Sequence, residues 1–74
     1  MWAYELIEAQ TGNLMASFET QAEALRAISE RIHQHGPESV ASIALVRVDT
    51  EDEDGAMETV AYGADLVPMA PQLA

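Results

Sequence analysis

The sequence predicts an α+β fold: a four-stranded, mainly antiparallel sheet in the chain order β-β-α-β-β, with one helix over about residues 21–35 on one face and a short C-terminal helical turn. Three observations carry that expectation. Apolar and polar residues alternate with period two in segments before residue 20, and two short segments between residues 43 and 62, the first apolar on both faces, read as further strands. One stretch, after Thr20, instead repeats its apolar residues at helical spacing between a start and a stop signal. Turn-forming residues, Gly12, Gly36-Pro37 and Gly55, punctuate the segments.

Trp2, Tyr4 and Leu6 alternate with Ala3, Glu5 and Ile7, which reads as a first strand. Gln10-Thr11-Gly12-Asn13 follows, and Gly12 supplies the positive φ of a tight turn. Leu14, Ala16 and Phe18 then alternate with Met15, Ser17 and Glu19, completing a hairpin. Thr20 and Glu23 have the spacing of a capping box, in which each side chain satisfies a backbone N–H of the first helical turn. Leu25, Ile28 and Ile32 lie within about 60° of one another at 100° per residue, a narrow apolar stripe suited to one partner surface. Gly36 is placed to cap the helix in the left-handed conformation, and Pro37 blocks continuation.

Ile43 to Val48 is apolar on both faces, as in a strand covered on both sides. Asp49 to Asp54 is an acidic turn ending at Gly55, and Met57 to Tyr62 reads as the fourth strand, with Val60 and Tyr62 on one face. Gly63 to Leu66 starts a helical turn that Pro68 and Pro71 keep short. The chain is expected to form one domain over residues 1–68, with residues 69–74 a mobile tail.

Of the 36 hydrophobic residues 13 are alanines, so the core has few large side chains to draw on. At 74 residues such a core yields only roughly 3–5 kcal/mol without disulfides or metals. One helix covers one sheet face, which leaves the other in need of a partner. Ile7, Met15, Ile43 and Leu45 are the candidates for that open face, and a homodimer formed through it or through a sheet edge is the expectation.

Three arginines, no lysine and 13 acids leave a net charge of −10, which speaks against nucleic acid or an anionic membrane as partner. Without cysteine there is no disulfide scaffold, thiolate zinc site or thiol nucleophile. With Glu5 and Glu8 near the N-terminus no signal peptide is expected, and no segment approaches the ~20 apolar residues of a membrane span; a cytoplasmic protein is expected.

The residues that could carry chemistry read as structure. Aligning Gly55 to the invariant glycine of an EF-hand loop puts Thr50 and Ala61 where the first and last calcium ligands belong, so the acidic run reads as a solvated hairpin loop. His33 and His35, two apart in the last helical turn, point about 200° apart and complement the helix dipole rather than clamp a metal; His35 falls at the edge of the apolar stripe. Ser17, Ser29, Ser39 and Ser42 sit in no nucleophile motif, and the isolated glycines form no phosphate loop. The aromatics read as core, with Trp2 at an edge or interface. No cofactor, no metal and no enzymatic activity are expected.

The segments Trp2-Ala3-Tyr4-Glu5-Leu6, Thr11-Gly12-Asn13-Leu14, Ser17-Phe18-Glu19-Thr20 and Glu23-Ala24-Leu25 resemble a group of small bacterial β-β-α-β-β proteins with no assigned activity. Those motifs are turns and core, and no functional residue follows from them. The hairpin and helix are also similar to HicB-type antitoxins, which implies binding of a small basic ribonuclease toxin; the usual Pro- and Gly-containing segment between strand and helix is missing here. The expected function is therefore a small acidic, non-enzymatic interaction or regulatory module that pairs with itself. An antitoxin-like inhibitor of a basic protein and a small-ligand or metal sensor are the alternatives. Besides the open-face residues, Asp49, Glu51, Asp52, Glu53, Asp54 and Glu58 form the expected contact patch for a basic partner.

Overall fold

A computed structural model describes residues 2–52 and 54–70. Strands β1 (Trp2–Glu8) and β2 (Asn13–Phe18) form the first hairpin, and helix α1 spans Gln21–His35. A 3₁₀ turn, Pro37–Val40, leads to β3 (Ile43–Asp49), then β4 (Met57–Tyr62), a second 3₁₀ turn at Gly63–Asp65, and the four-residue α2 (Leu66–Met69). The sheet order is β2-β1-β3-β4 with every neighbouring pair antiparallel. This is the α+β architecture that the sequence predicts, with its one main helix and short C-terminal turn.

Local chemistry places the boundaries. Gly12, at φ 74°, turns the first hairpin and donates its N–H to the Glu8 carbonyl at 2.7 Å. The Thr20 hydroxyl accepts the Glu23 N–H at 3.2 Å and starts α1. The reciprocal half of the capping box, from the Glu23 carboxylate to the Thr20 N–H, is not formed among the described residues. Gly36 ends the helix by donating its N–H to the Ile32 carbonyl at 2.7 Å. Its angles, φ 87° and ψ 164°, are not the left-handed helical conformation expected; they belong to a region that only glycine enters freely. The ψ of Gly36 turns the chain directly into the 3₁₀ segment, which delivers Val40 to the core.

Leu6, Ile43, Leu45 and Ala61 from the sheet pack with Ala24 and Ile28 of α1, and Val40 from the first 3₁₀ turn and Leu66 from α2 close the cluster. The buried helix face centres on Ala24 and Ile28, with Leu25 and Ile32 only partly covered at its flanks. Met69 and Ala70, expected at the head of a free tail, pack against this core; residues 71–74 lie outside the described residues.

Strand register corrects the face assignment of two residues. Leu6 stands opposite Leu45 and Glu8 opposite Ile43, whereas Ile7 faces Ala44. Directly opposed residues of an antiparallel pair share a face. Ile43 and Leu45 therefore lie under the helix, 1% and 0% exposed, and not on the open face with Ile7.

Two irregularities complete the sheet. Leu6 pairs with Ala16 but Ile7 with Leu14, so Met15 is an extra residue in β2. Leu45 pairs with Ala61 but Val46 with Thr59, which makes Val60 the extra residue in β4. Each bulge reverses the inside–outside parity of its strand. Leu14 thereby leaves the face of Ala16 and joins Ile7. Tyr62 leaves the core and joins Ala44.

Candidate interaction surfaces

On the face away from α1, cross-strand pairing builds a continuous row from one sheet edge to the other: Leu14 on β2, Ile7 on β1, Ala44 on β3 and Tyr62 on β4. Leu14 is 58% and Tyr62 50% exposed, so both ends of the row protrude. The next row is Ser17, Glu5, Val46 and Thr59, and beyond it Ala3, Val48 and Met57 follow. Val46 is 4% exposed although no helix covers it. Among the described residues Glu5 is the one acid in these rows, and no arginine falls in them. The Ser17 hydroxyl lies 3.5 Å from the Glu5 carboxylate, at the limit of a hydrogen bond. Of the four residues expected here, Ile7 takes its place in the row, Met15 is exposed in the β2 bulge, and Ile43 and Leu45 belong to the core.

The acidic turn between β3 and β4 uses its carboxylates to fold itself. Asp49 Oδ1 accepts the Glu51 N–H and Asp52 Oδ1 accepts the Asp54 N–H, each at 3.0 Å. These are Asx turns, in which the side chain substitutes for a backbone acceptor. Gly55, at φ 64°, returns the chain and donates to the Asp52 carbonyl at 3.0 Å. Glu51 and Asp54 are solvent-exposed; Glu53 lies outside the described residues. Glu58 is apart from this turn in function: its Oε2 accepts from Arg47 Nη2 at 2.6 Å and Nε at 3.0 Å. Those bonds hold the guanidinium above its ordinary pKa. The same guanidinium carbon sits 4.5 Å from the centroid of the Trp2 ring, a cation–π stack.

Beside that stack, Trp2, Ala3, Ser17, Phe18, Glu19, Glu23 and Thr50 line an open cleft of about 500 Å³. It lies where β1 begins, β2 ends and α1 starts, three segments that the fold brings to one corner. Tyr4 and Phe18, opposite one another, pack partly against the core. Trp2 and Tyr62, by contrast, are 39% and 50% exposed, so the expectation of a core role fails for Tyr62.

His33 and His35 are both exposed. No group of three or more His, Asp or Glu side chains among the described residues is disposed to hold a metal ion. No helix among them is long and apolar enough to cross a membrane.

Nothing in the sequence marks Leu14, Val46, Tyr62 and Met57 as open-face residues or brings the lining of the cleft together. For Leu14 and Tyr62 no local signal of a bulge exists, since Met15 and Val60 are ordinary strand formers. No protein-family model, curated protein or solved structure matches the chain.

Proposed function

We propose that the chain is a small acidic, non-enzymatic interaction module that acts as a homodimer, two copies meeting through the open sheet faces. The row Leu14–Ile7–Ala44–Tyr62 is the observation that supports it. Two copies each carrying −10 repel, and the repulsion is least where they meet across a face bearing one acid in three rows. Four strands about 4.8 Å apart and about six residues of ~3.3 Å long give a face of roughly 19 × 20 Å. A pair of such faces covers about 800 Å² in projection, which places the dimer in the weak, concentration-dependent class.

Light scattering coupled to size exclusion tests the reading. At about 200 μM protein, well above a micromolar Kd, the mass is expected near 16 kDa, twice the 8.0 kDa of one chain. It should fall towards 8.0 kDa on dilution and the dimer should tighten in added salt, which screens the charge. Leu14→Glu combined with Tyr62→Glu should give a monomer with unchanged circular dichroism. A wild-type mass of 8.0 kDa at 200 μM in high salt overturns the proposal.

A further inference from the structure

We infer that the cleft at the Trp2 corner receives an arginine or lysine side chain from a basic segment of a partner protein. Its walls combine two aromatic rings, Trp2 and Phe18, with two carboxylates, Glu19 and Glu23. That pairing suits a cationic head on an apolar stem: the stem lies against the rings and the head meets the carboxylates. Trp2 already carries a guanidinium at 4.5 Å, so its ring lies within stacking distance of a cation in this structure.

Charge complementarity selects the occupant. The three arginines of the chain are engaged elsewhere: Arg26 lies 3.8 Å from Glu30, Arg31 donates to the Ser39 carbonyl at 3.2 Å, and Arg47 is held by Glu58. Glu19 and Glu23 therefore have no cation of their own among the described residues. Arg47 does not oppose a second cation strongly, because Glu58 neutralises it. Glu23 is spared from the capping box that its spacing predicts and stands instead on the wall of the cleft. The site borders the open face at Ala3 and Ser17 but does not use the Leu14–Tyr62 row, so its failure and the failure of the dimer are read separately.

Trp2 is the only tryptophan, which makes its fluorescence a direct report of this corner. The probe is a capped Gly-Arg-Gly-Arg-Gly peptide, with Gly-Gln-Gly-Gln-Gly as the uncharged control, titrated at about 0.15 M ionic strength to suppress long-range attraction. A saturable change in Trp2 emission is expected with the arginine peptide and none with the control. Glu19→Gln combined with Glu23→Gln should weaken binding roughly three- to tenfold, the sum of two partly exposed charge pairs. Asp52→Asn combined with Asp54→Asn removes the same charge from the acidic turn, keeps its Asx geometry, and should change binding less than twofold. Circular dichroism confirms that each variant is folded. Absence of a saturable change, wild-type affinity in the Glu19/Glu23 variant, or equal weakening in both variants overturns the assignment.

Discussion

The covered and open faces of the sheet are built from the same four strands, and they differ in what lies above them. Beneath α1, Leu6, Ile43, Leu45 and Ala61 are buried by side chains from α1, the first 3₁₀ turn and α2. On the opposite face Val46 is nearly as buried, but Leu14, Met57 and Tyr62 at the corners stay more than half or about half exposed. The covered face is closed by residues distant in sequence, and its burial is complete within one chain. The open face hides its centre by the crowding of its own strands and leaves its rim to something else. Hydrophobic composition alone does not separate a core from an interface; the distinction lies in whether the chain supplies the covering layer.

The sharpest way to break this contrast is to make one cut on each face at adjacent positions of β3. Leu45→Ala removes a fully buried side chain and leaves a cavity, at a cost of about 2–5 kcal/mol. A domain with roughly 3–5 kcal/mol to spare should be largely unfolded by it. Val46→Ala removes two carbons from the open face and should cost about 1.6 kcal/mol, the transfer cost alone, if no cavity is sealed there. Urea unfolding followed by circular dichroism compares them. Equal costs per carbon removed would mean that the two faces are equally closed.

A second pair of substitutions contrasts the packed and the solvated side of the molecule at glycines with nearly the same φ. Gly63 and Gly55 have φ 60° and 64°. A Cβ on Gly63 would stand 2.8 Å from the Ala41 carbonyl oxygen, whereas one on Gly55 meets open space. Gly55→Ala should cost about 1 kcal/mol from backbone strain alone. Gly63→Ala should cost clearly more, about 2–3 kcal/mol, because the two 3₁₀ turns must separate as well. If thermal denaturation shows equal losses, the turn packing beneath α2 is looser than the structure has it.

What was legible in the sequence is what short-range chemistry decides. Thr20, the Leu25–Ile28–Ile32 stripe and Gly36-Pro37 delimit the helix, and Gly12 and Gly55 mark the two hairpin turns, because caps and turns depend on neighbours a few residues away. The faces were less legible. Period-two alternation sorts Ile43 and Leu45 from Val46 correctly, but which set the helix covers depends on the register with β1, forty residues away. One bulge at Met15 and another at Val60 then reverse the parity of Leu14 and Tyr62, and strand propensity carries no mark of either. The cleft was illegible for a related reason: its lining comes from residues 2–3, 17–19, 23 and 50, which only the folded chain brings together. The acidic run was visible at once, yet composition could not show that Asp49 and Asp52 are occupied in holding their own turn.

The helix start offers a smaller test of how α1 is held over the covered face. Thr20→Ala removes the side-chain acceptor of the Glu23 N–H and should cost about 1 kcal/mol, while Thr20→Asp should restore most of it. Glu23→Gln should have little effect on stability, because the carboxylate takes no part in the cap. A loss as large as that of Thr20→Ala would place Glu23 in the cap and remove it from the cleft.

The smallest effect on the folding of one chain, and the most informative about the open face, is expected from Leu14→Ser combined with Tyr62→Ser. Both side chains are at least half exposed, so each replacement should change the stability of the isolated chain by no more than about 0.5 kcal/mol. A dimer adds stability that depends on protein concentration, because only the folded chain associates. The wild-type urea midpoint should therefore rise between micromolar and submillimolar protein, whereas the double variant should unfold at one midpoint throughout. The variant should also match the wild type at the lowest concentration, where neither is paired. A midpoint that is independent of concentration in both proteins would show that the exposed row is tolerated without a partner. A midpoint that drops equally at every concentration would show that Leu14 and Tyr62 stabilise the single sheet, and the two faces would then differ in degree and not in role.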